Sequence, residues 1–263
     1  MQRLFPAVGA PVDPLAIYDE LEFPAGRDGR PYTALNMVST VDGKTTLDEN
    51  RIREPIGSRV DRTVMGRLRV AFDAVIRGAE TVRADPHYPG VPEDMEHRRI
   101  ARGLARQPLA VVLTVSGRLP LDSAYFHGPR RPLVIATPKT PPERVAELRS
   151  AAEVVVMDQH PLDLRAVWRL LYEEYGVRRL LSEGGPRLNQ DCLALGLLDE
   201  MFWTIAPRVA GGSKDLTMVE GPTVLDPMPR LELVSAYCHD SELFLRYRRI
   251  DTSAAGAGGP GSV

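Results

Sequence analysis

The stretch Leu180-Leu181-Ser182-Glu183-Gly184-Gly185-Pro186-Arg187-Leu188 does most to limit what this chain can fold into. An apolar run with Val177, Leu180 and Leu181 reaches a charged residue and two glycines. Pro186 then opens a segment with apolar residues at Leu188, Cys192, Leu193 and Leu195. That pattern reads as strand, glycine turn and helix. Proline suits a first helical turn because its missing N–H has no intrahelical partner there. Glycines let an anion approach the backbone, and a helix N-terminus offers it unpaired N–H groups and partial positive charge. Glu183 falls at the carboxyl end of the strand, where open α/β sheets place their ligands. The plain alternative is a helix-entry turn with a solvated glutamate.

The rest of the chain repeats the unit. Tyr32 to Val41 reads as a buried strand ending at the turn signal Asp42-Gly43. Asn50 to Gly57 reads as an irregular loop, and Asp61 to Val70 carries Val64, Met65 and Leu68 at helical spacing. Ala74 to Ile76, Leu109 to Thr114, Leu133 to Ala136, Val154 to Met157 and Met201 to Ile205 read as strands. Pro142 to Ala151 and Asp163 to Tyr175 read as helices, the second with Asp163 as N-cap. The polar stretch Asp85 to Gln107 is expected as a mobile loop or a short exposed helix. Leu231 to Tyr237 and Glu242 to Arg248 form a hairpin closing the sheet edge. Strands alternating with helices predict an α/β domain on a mixed, mostly parallel sheet. Residues 1–30 are expected as an arm wrapping this domain, with one helical hint at Pro14 to Leu21. Residues 251–263, small and glycine-rich, are expected to be disordered.

Composition narrows the partners. A formal net charge of -2 over 263 residues argues against nucleic acid or a membrane surface held by bulk charge. No apolar run approaches the roughly 20 residues that span a bilayer, and the N-terminus has no signal-peptide pattern. Cys192 and Cys238 are far apart and read as buried free thiols, so a cytoplasmic protein is expected. The histidines are scattered, and no metal site is expected.

Three stretches in order carry a family resemblance: Asn36 to Lys44, Leu68 to Pro86, and Glu183 to Pro186 with its extension through Leu198-Asp199-Glu200 and Ile205 to Gly212. Over about Pro31 to Arg249 the chain resembles the riboflavin-pathway pyrimidine reductases, meaning the C-terminal reductase domain of the bifunctional deaminase/reductase and its stand-alone relatives. The resemblance implies a three-layer, dihydrofolate-reductase-like fold over residues 31–250. It also implies NADPH as cofactor, a small heterocyclic substrate and a homodimer. Val38 falls where the family's backbone meets the nicotinamide, and Thr81 and Asp85 match its Thr-Val-x-x-Asp at the cofactor. Gly184, Gly185, Pro186, Arg187, Leu188 and Asn189 match the turn and helix start that hold the phosphates. Arg69 and Glu183 fall at substrate contacts, with Arg53 beside them. Thr114 and Ser116 are candidates for the 2′-phosphate of NADPH. NADPH is favoured also because no Gly-x-Gly-x-x-Gly followed by an acid is present.

Each position has a plain reading too. Asp42 forms a tight turn, Asp85 caps one, and Arg69 is a solvated helix charge. The family's deaminase half uses His-x-Glu and Pro-Cys-x-x-Cys, both absent here, so deamination is excluded. The stretch Asp85-Pro86-His87-Tyr88-Pro89-Gly90-Val91 lacks the second acid and the arginine that relatives carry, and Arg53 and Pro55 stand where they tend to have Ser and Trp. Arginine suits phosphate through its bidentate geometry, so its loss puts the usual phosphoribosyl substrate in doubt. Activity on it is expected at least about tenfold below that of a typical relative, with Arg53 or the arginines between Arg98 and Arg106 offsetting part of the loss. Reduction of a ribosylamino-pyrimidine, reduction of a pterin such as dihydrofolate, and NADP(H) binding without turnover remain open on the sequence, as does the proton donor.

Overall fold

The computed structural model describes residues 1–45, 55–212 and 216–250. Its elements run β1 (Gln2–Phe5), β2 (Tyr32–Thr40), α1 (Arg59–Leu68), β3 (Ala74–Gly78), α2 (Ala79–Ala84), α3 (Glu96–Ala101), β4 (Leu109–Leu113), β5 (Leu133–Ala136), α4 (Pro142–Ala151), β6 (Glu153–Val156), α5 (Leu164–Glu173), β7 (Arg179–Ser182), α6 (Pro186–Ala194), β8 (Glu200–Ala206), β9 (Arg230–His239) and β10 (Glu242–Ile250). They form one ten-stranded sheet in the order β1-β9-β10-β8-β2-β7-β3-β4-β5-β6. From β8 to β6 every pairing is parallel, while β10, β9 and β1 add antiparallel. The expected mixed, mostly parallel sheet is the fold.

Strand periodicity sends alternate side chains to opposite faces. Leu35, Ile76, Val111, Ile135 and Leu180 meet Val167, Trp168 and Leu171 of α5 and Leu188 and Cys192 of α6. On the other face Ala34, Val75, Leu181 and Phe202 meet Val64 and Leu68 of α1, and Ala110, Val112 and Val134 meet Val82 and Leu148. Covering both faces is why these strands read as unbroken apolar runs. Asp163 caps α5 as expected, accepting from Arg165 N at 2.9 Å. Ser58 caps α1, accepting from Asp61 N at 3.1 Å.

Three segments differ from expectation. The first residues supply β1, with Gln2 paired to Cys238 and Arg3 to Tyr237. A four-residue strand stopped by Pro6 is too short to show alternation. The helical hint shrinks to a 3-10 turn at Pro14–Ala16, after which Tyr18 and Phe23 pack against Phe202. The polar stretch 85–107 takes the second of its two expected forms, a short helix, but is not exposed throughout. It holds α3, pinned by fully buried Arg99, which donates to the carbonyls of Arg69 (2.9 Å), Phe72 (2.6 Å) and Ala105 (2.8 Å). In sequence, an arginine hidden to satisfy carbonyls looks like any solvated charge. The C-terminal hairpin turns at Asp240 and Ser241, both left-handed (φ 47° and 66°), and β1 lies outside it. Cys192 is buried, but Cys238 is only half-buried. Arg53, most of the loop from Asn50 and the tail 251–263 lie outside the described residues. No helix among the described residues is long and apolar enough to cross a membrane.

Candidate active site

The carboxyl ends of β2, β7, β3 and β4 lie side by side on one rim of the sheet. Glu183, directly after β7, is buried there between two guanidinium groups. Arg69, just past α1, gives Nε to Oε1 at 2.6 Å and Nη2 to Oε2 at 3.0 Å. Arg77, on β3, gives Nε at 2.8 Å and Nη2 at 2.6 Å, both to Oε2. Burial alone would raise the Glu183 pKa, but the two cations beside it outweigh burial and hold it at about 2. Glu183 is therefore a permanent anion. Oε2 receives three bonds and Oε1 one, so Oε1 keeps an acceptor position. The pair of ring bonds expected at this carboxylate has room on Oε1 alone.

Arg77 is the residue the sequence reading missed. It interrupts the run Ala74-Val75-Ile76 on a central parallel strand and is 3% exposed. A charge inside such a run must be paired, and that was the available signal. Its Nη1 reaches Asp85 at 3.3 Å, and His87 Nδ1 closes on the same carboxylate at 2.7 Å. Four charged residues thus form one chain, Arg69–Glu183–Arg77–Asp85, leading from the interior to solvent.

Beside it lies the glycine turn. Gly184 is left-handed (φ 74°), the Gly184–Gly185 peptide is cis, and Gly78 N donates to Gly184 O at 2.8 Å. Gly185 is the N-cap of α6, with no side-chain cap, and Pro186 is its first residue. The early N–H groups of α6 are left facing outward without intrahelical partners. A Cβ on Gly185 would stand 3.2 Å from Thr81 Oγ1, and one on Gly184 would stand 3.0 Å from Met37 Sδ. Both glycines keep a cradle open. Asn189 is fully buried. Its Nδ2 donates to Met218 O at 2.8 Å, while its Oδ1 has no partner among the described residues. Leu188 is buried and Arg187 is exposed. The open glycine turn and the uncapped helix start fit a dinucleotide's phosphates.

Farther along the rim, Val38 is half-buried and pairs with Thr204 of β8. Asp42 accepts from Thr40 Oγ1 (2.6 Å), Ala210 N (3.0 Å) and Gly211 N (2.7 Å), and these bonds hold its carboxyl at about 2. Thr114 is buried, its Oγ1 accepting from Gly117 N at 3.0 Å, whereas Ser116 is exposed. Arg69, Tyr88, Gly90, Val91 and Gln107 line a cleft of 340 Å³. The arginines expected to replace the missing phosphate contact are otherwise engaged. Arg98 pairs with Asp19, Arg99 is buried on carbonyls, Arg102 donates to Asp19 O, and Arg106 pairs with Glu96. No group of three or more His, Cys, Asp or Glu among the described residues could hold a metal ion.

The architecture is that of solved pyrimidine reductases. A pyrimidine reductase-like protein from Corynebacterium diphtheriae superposes with a TM-score of 0.76 at 23% identity, covering 91% of this chain and 100% of that one. RibD of Acinetobacter baumannii gives 0.69 at 25%, covering 85% of this chain and 59% of that one. Residues 31–245 match the RibD C-terminal domain model. The 2,5-diamino-6-ribosylamino-4(3H)-pyrimidinone 5′-phosphate reductase of Archaeoglobus fulgidus is 32% identical over 74% of this chain and 89% of its own length. The same-named enzyme of Methanothermobacter thermautotrophicus is 34% identical over 83% and 98%. The chain belongs to the RibD C-terminal domain family and is an oxidoreductase, which implies a nicotinamide cofactor.

Proposed function

We propose that the protein reduces the ribosylamino group of a pyrimidine 5′-phosphate to the ribitylamino product, with NADPH as reductant. The observation that carries the reading is the placing, on one rim, of an uncapped helix start beside a glutamate kept charged. The activity named for the archaeal relatives supports it over pterin reduction and over binding without turnover.

Bound NADPH would supply the hydride, and the chain's residues bind, orient and shield. Gly184, Gly185 and the N–H groups of Arg187 and Leu188 receive the diphosphate, with Thr81 beside them and Asn189, tied through Nδ2 to Met218 O, behind the turn. The backbone at Val38 meets the nicotinamide end. Glu183 Oε1 accepts a ring or amino N–H of the pyrimidine, and Arg69 lines the cleft next to it. Arg53 is assigned to the substrate's phosphate end, Thr114 and Ser116 to the 2′-phosphate, and Asp85 to positioning Arg77 at the cofactor side. A homodimer belongs to the same reading, and sedimentation equilibrium checks it.

The test is NADPH oxidation by purified protein with the phosphoribosylamino-pyrimidine and, separately, with dihydrofolate. Turnover of the pyrimidine alone, with kcat/KM at least tenfold higher for NADPH than for NADH, is the expected result. Dihydrofolate as the better substrate, or equal use of the two dinucleotides, refutes the corresponding part.

A further inference from the structure

Residues 216–223, between β8 and β9, belong to no helix or named strand, yet they are tied down on two sides. On one side is the turn after β2. Thr45 N donates to Leu216 O at 2.9 Å, Thr45 Oγ1 donates to Thr217 O at 3.2 Å, and Lys44 makes an isolated antiparallel bridge with Thr217. On the other side is the start of α6. Asn189 Nδ2 donates to Met218 O at 2.8 Å, Glu220 N to Pro186 O at 3.2 Å, and Gln190 Nε2 to Thr223 O at 2.9 Å. Gly221 lets the backbone press onto that helix, since a Cβ there would collide with Gln190 Cγ. Between the two sides Glu220 Oε1 accepts from Thr217 N and Thr217 Oγ1, both at 2.8 Å, closing the segment on itself. The stretch is a strap from the end of β2 to the start of α6.

The strap grips the same helical turn that carries the uncapped N–H groups, and Asn189 is the link. Asn189 is fully buried, and a side-chain amide so placed ordinarily uses both its ends. Here Oδ1 has no partner among the described residues, so the bond to Met218 O is what orients the amide. The amide in turn backs the glycine turn. A Cβ on Gly184 would lie 3.4 Å from Asn189 Nδ2, 3.5 Å from its Oδ1 and 3.0 Å from Met37 Sδ. Lifting the strap would strip the buried amide of its bond to Met218, a costly state, and take the Glu220 bond from Pro186 O. A phosphate held by the first N–H groups of α6 needs that turn fixed, so strap docking and anion binding favour each other.

We propose that residues 216–223 are a strap that docks together with the dinucleotide, and that Asn189 is the positioning residue joining the two events. The coupling rests on the reading of the α6 start as the dinucleotide's phosphate site. It is reciprocal: bound dinucleotide holds the strap down, and a loosened strap weakens binding.

Amide hydrogen exchange by NMR, with and without saturating NADP⁺, reads the strap directly. The Glu220 and Thr45 amides, one on each side of the strap, should exchange at least about fivefold more slowly with NADP⁺ bound. The Val12 amide, bonded to Met1 O at the far edge of the sheet, should keep its rate. Thr45→Val keeps the side chain's shape, removes its hydroxyl and lies on the side of the strap away from α6. It should speed exchange at Glu220 and raise the NADP⁺ Kd and the NADPH KM by roughly 2–12-fold, the worth of one hydrogen bond, with kcat not reduced. Asn189→Leu, similar in volume but without the donor, should act in the same direction; if it does not fold, Thr45→Val decides. Glu220 exchange unmoved by NADP⁺, exchange unmoved in Thr45→Val, or faster exchange without weaker binding overturns the strap and leaves the cofactor reading standing. Folded wild-type protein that binds no NADP⁺ by calorimetry overturns the cofactor reading, and the strap's role with it.

Discussion

Glu183 meets its two arginines from different elements, Arg69 from just past α1 and Arg77 from the carboxyl end of β3. The triad therefore fixes the helix and two neighbouring strands at the rim, besides holding a negative charge there. Removing one member of a buried charge set leaves the others uncompensated, at about 3–5 kcal/mol. Glu183→Gln should lower Tm sharply even without ligands, because two guanidinium groups would face an amide that offers a single oxygen. If its thermal unfolding matches wild type, the triad is not the stabilising element described here. Arg77→Met should be milder, since it leaves Glu183 with the Arg69 fork; a Tm drop as large as that of Glu183→Gln would contradict this ordering. At this scale the sequence was half legible. A glutamate between a strand and two glycines demands a partner, yet nothing local says that the partner lies more than a hundred residues upstream in the chain.

At the scale of elements, the unit β7, glycine turn, α6 is as the sequence reads, because proline and glycine dictate it locally. Placing a valine at Gly185 would put carbon 3.2 Å or less from Thr81 Oγ1 and into the cradle. NADPH affinity should fall at least tenfold, about 1.4 kcal/mol, and unchanged affinity by fluorescence titration in a folded variant would remove the turn from the site. Asp42 ties the turn after β2 to Ala210 and Gly211, a link the Asp-Gly signature does not reveal. In Asp42→Ala the amides of Ala210 and Gly211 should exchange with solvent faster, and unaltered protection would show that other contacts hold that loop. What escaped the sequence are elements defined by distant partners. β1 exists because β9 offers an edge, and α3 is anchored through Arg99 to carbonyls around Arg69 and Phe72. Periodicity inside a short window carries no trace of either.

Across the whole molecule, two buried carboxyls pull the pH dependence of stability in opposite directions. Asp61 is raised from 3.8 to about 6, chiefly by burial, so the folded state binds its proton more tightly than the unfolded chain does. Its contribution is complete below the unfolded value and is lost as pH rises through about 6. Glu183 is lowered from 4.5 to about 2, its arginines outweighing burial. Its contribution is present above pH 4.5 and is lost as pH falls through about 2. Each displacement of roughly two units corresponds to on the order of 3 kcal/mol. The sum favours a stability maximum on the acid side of neutrality, because the anion at Glu183 is already formed there while Asp61 still keeps its proton. Asp61→Asn removes one limb: at pH 8 wild type buries an unpaired carboxylate that the amide does not carry. The variant should be the more stable protein at pH 8, by roughly 6–12 °C in Tm at about 2–4 °C per kcal/mol. That advantage should shrink through pH 6 and vanish near pH 4, while Glu183 continues to set the acid limit in both proteins. Tm curves that run parallel from pH 4 to 8 would show that Asp61 titrates alike in the folded and unfolded chains.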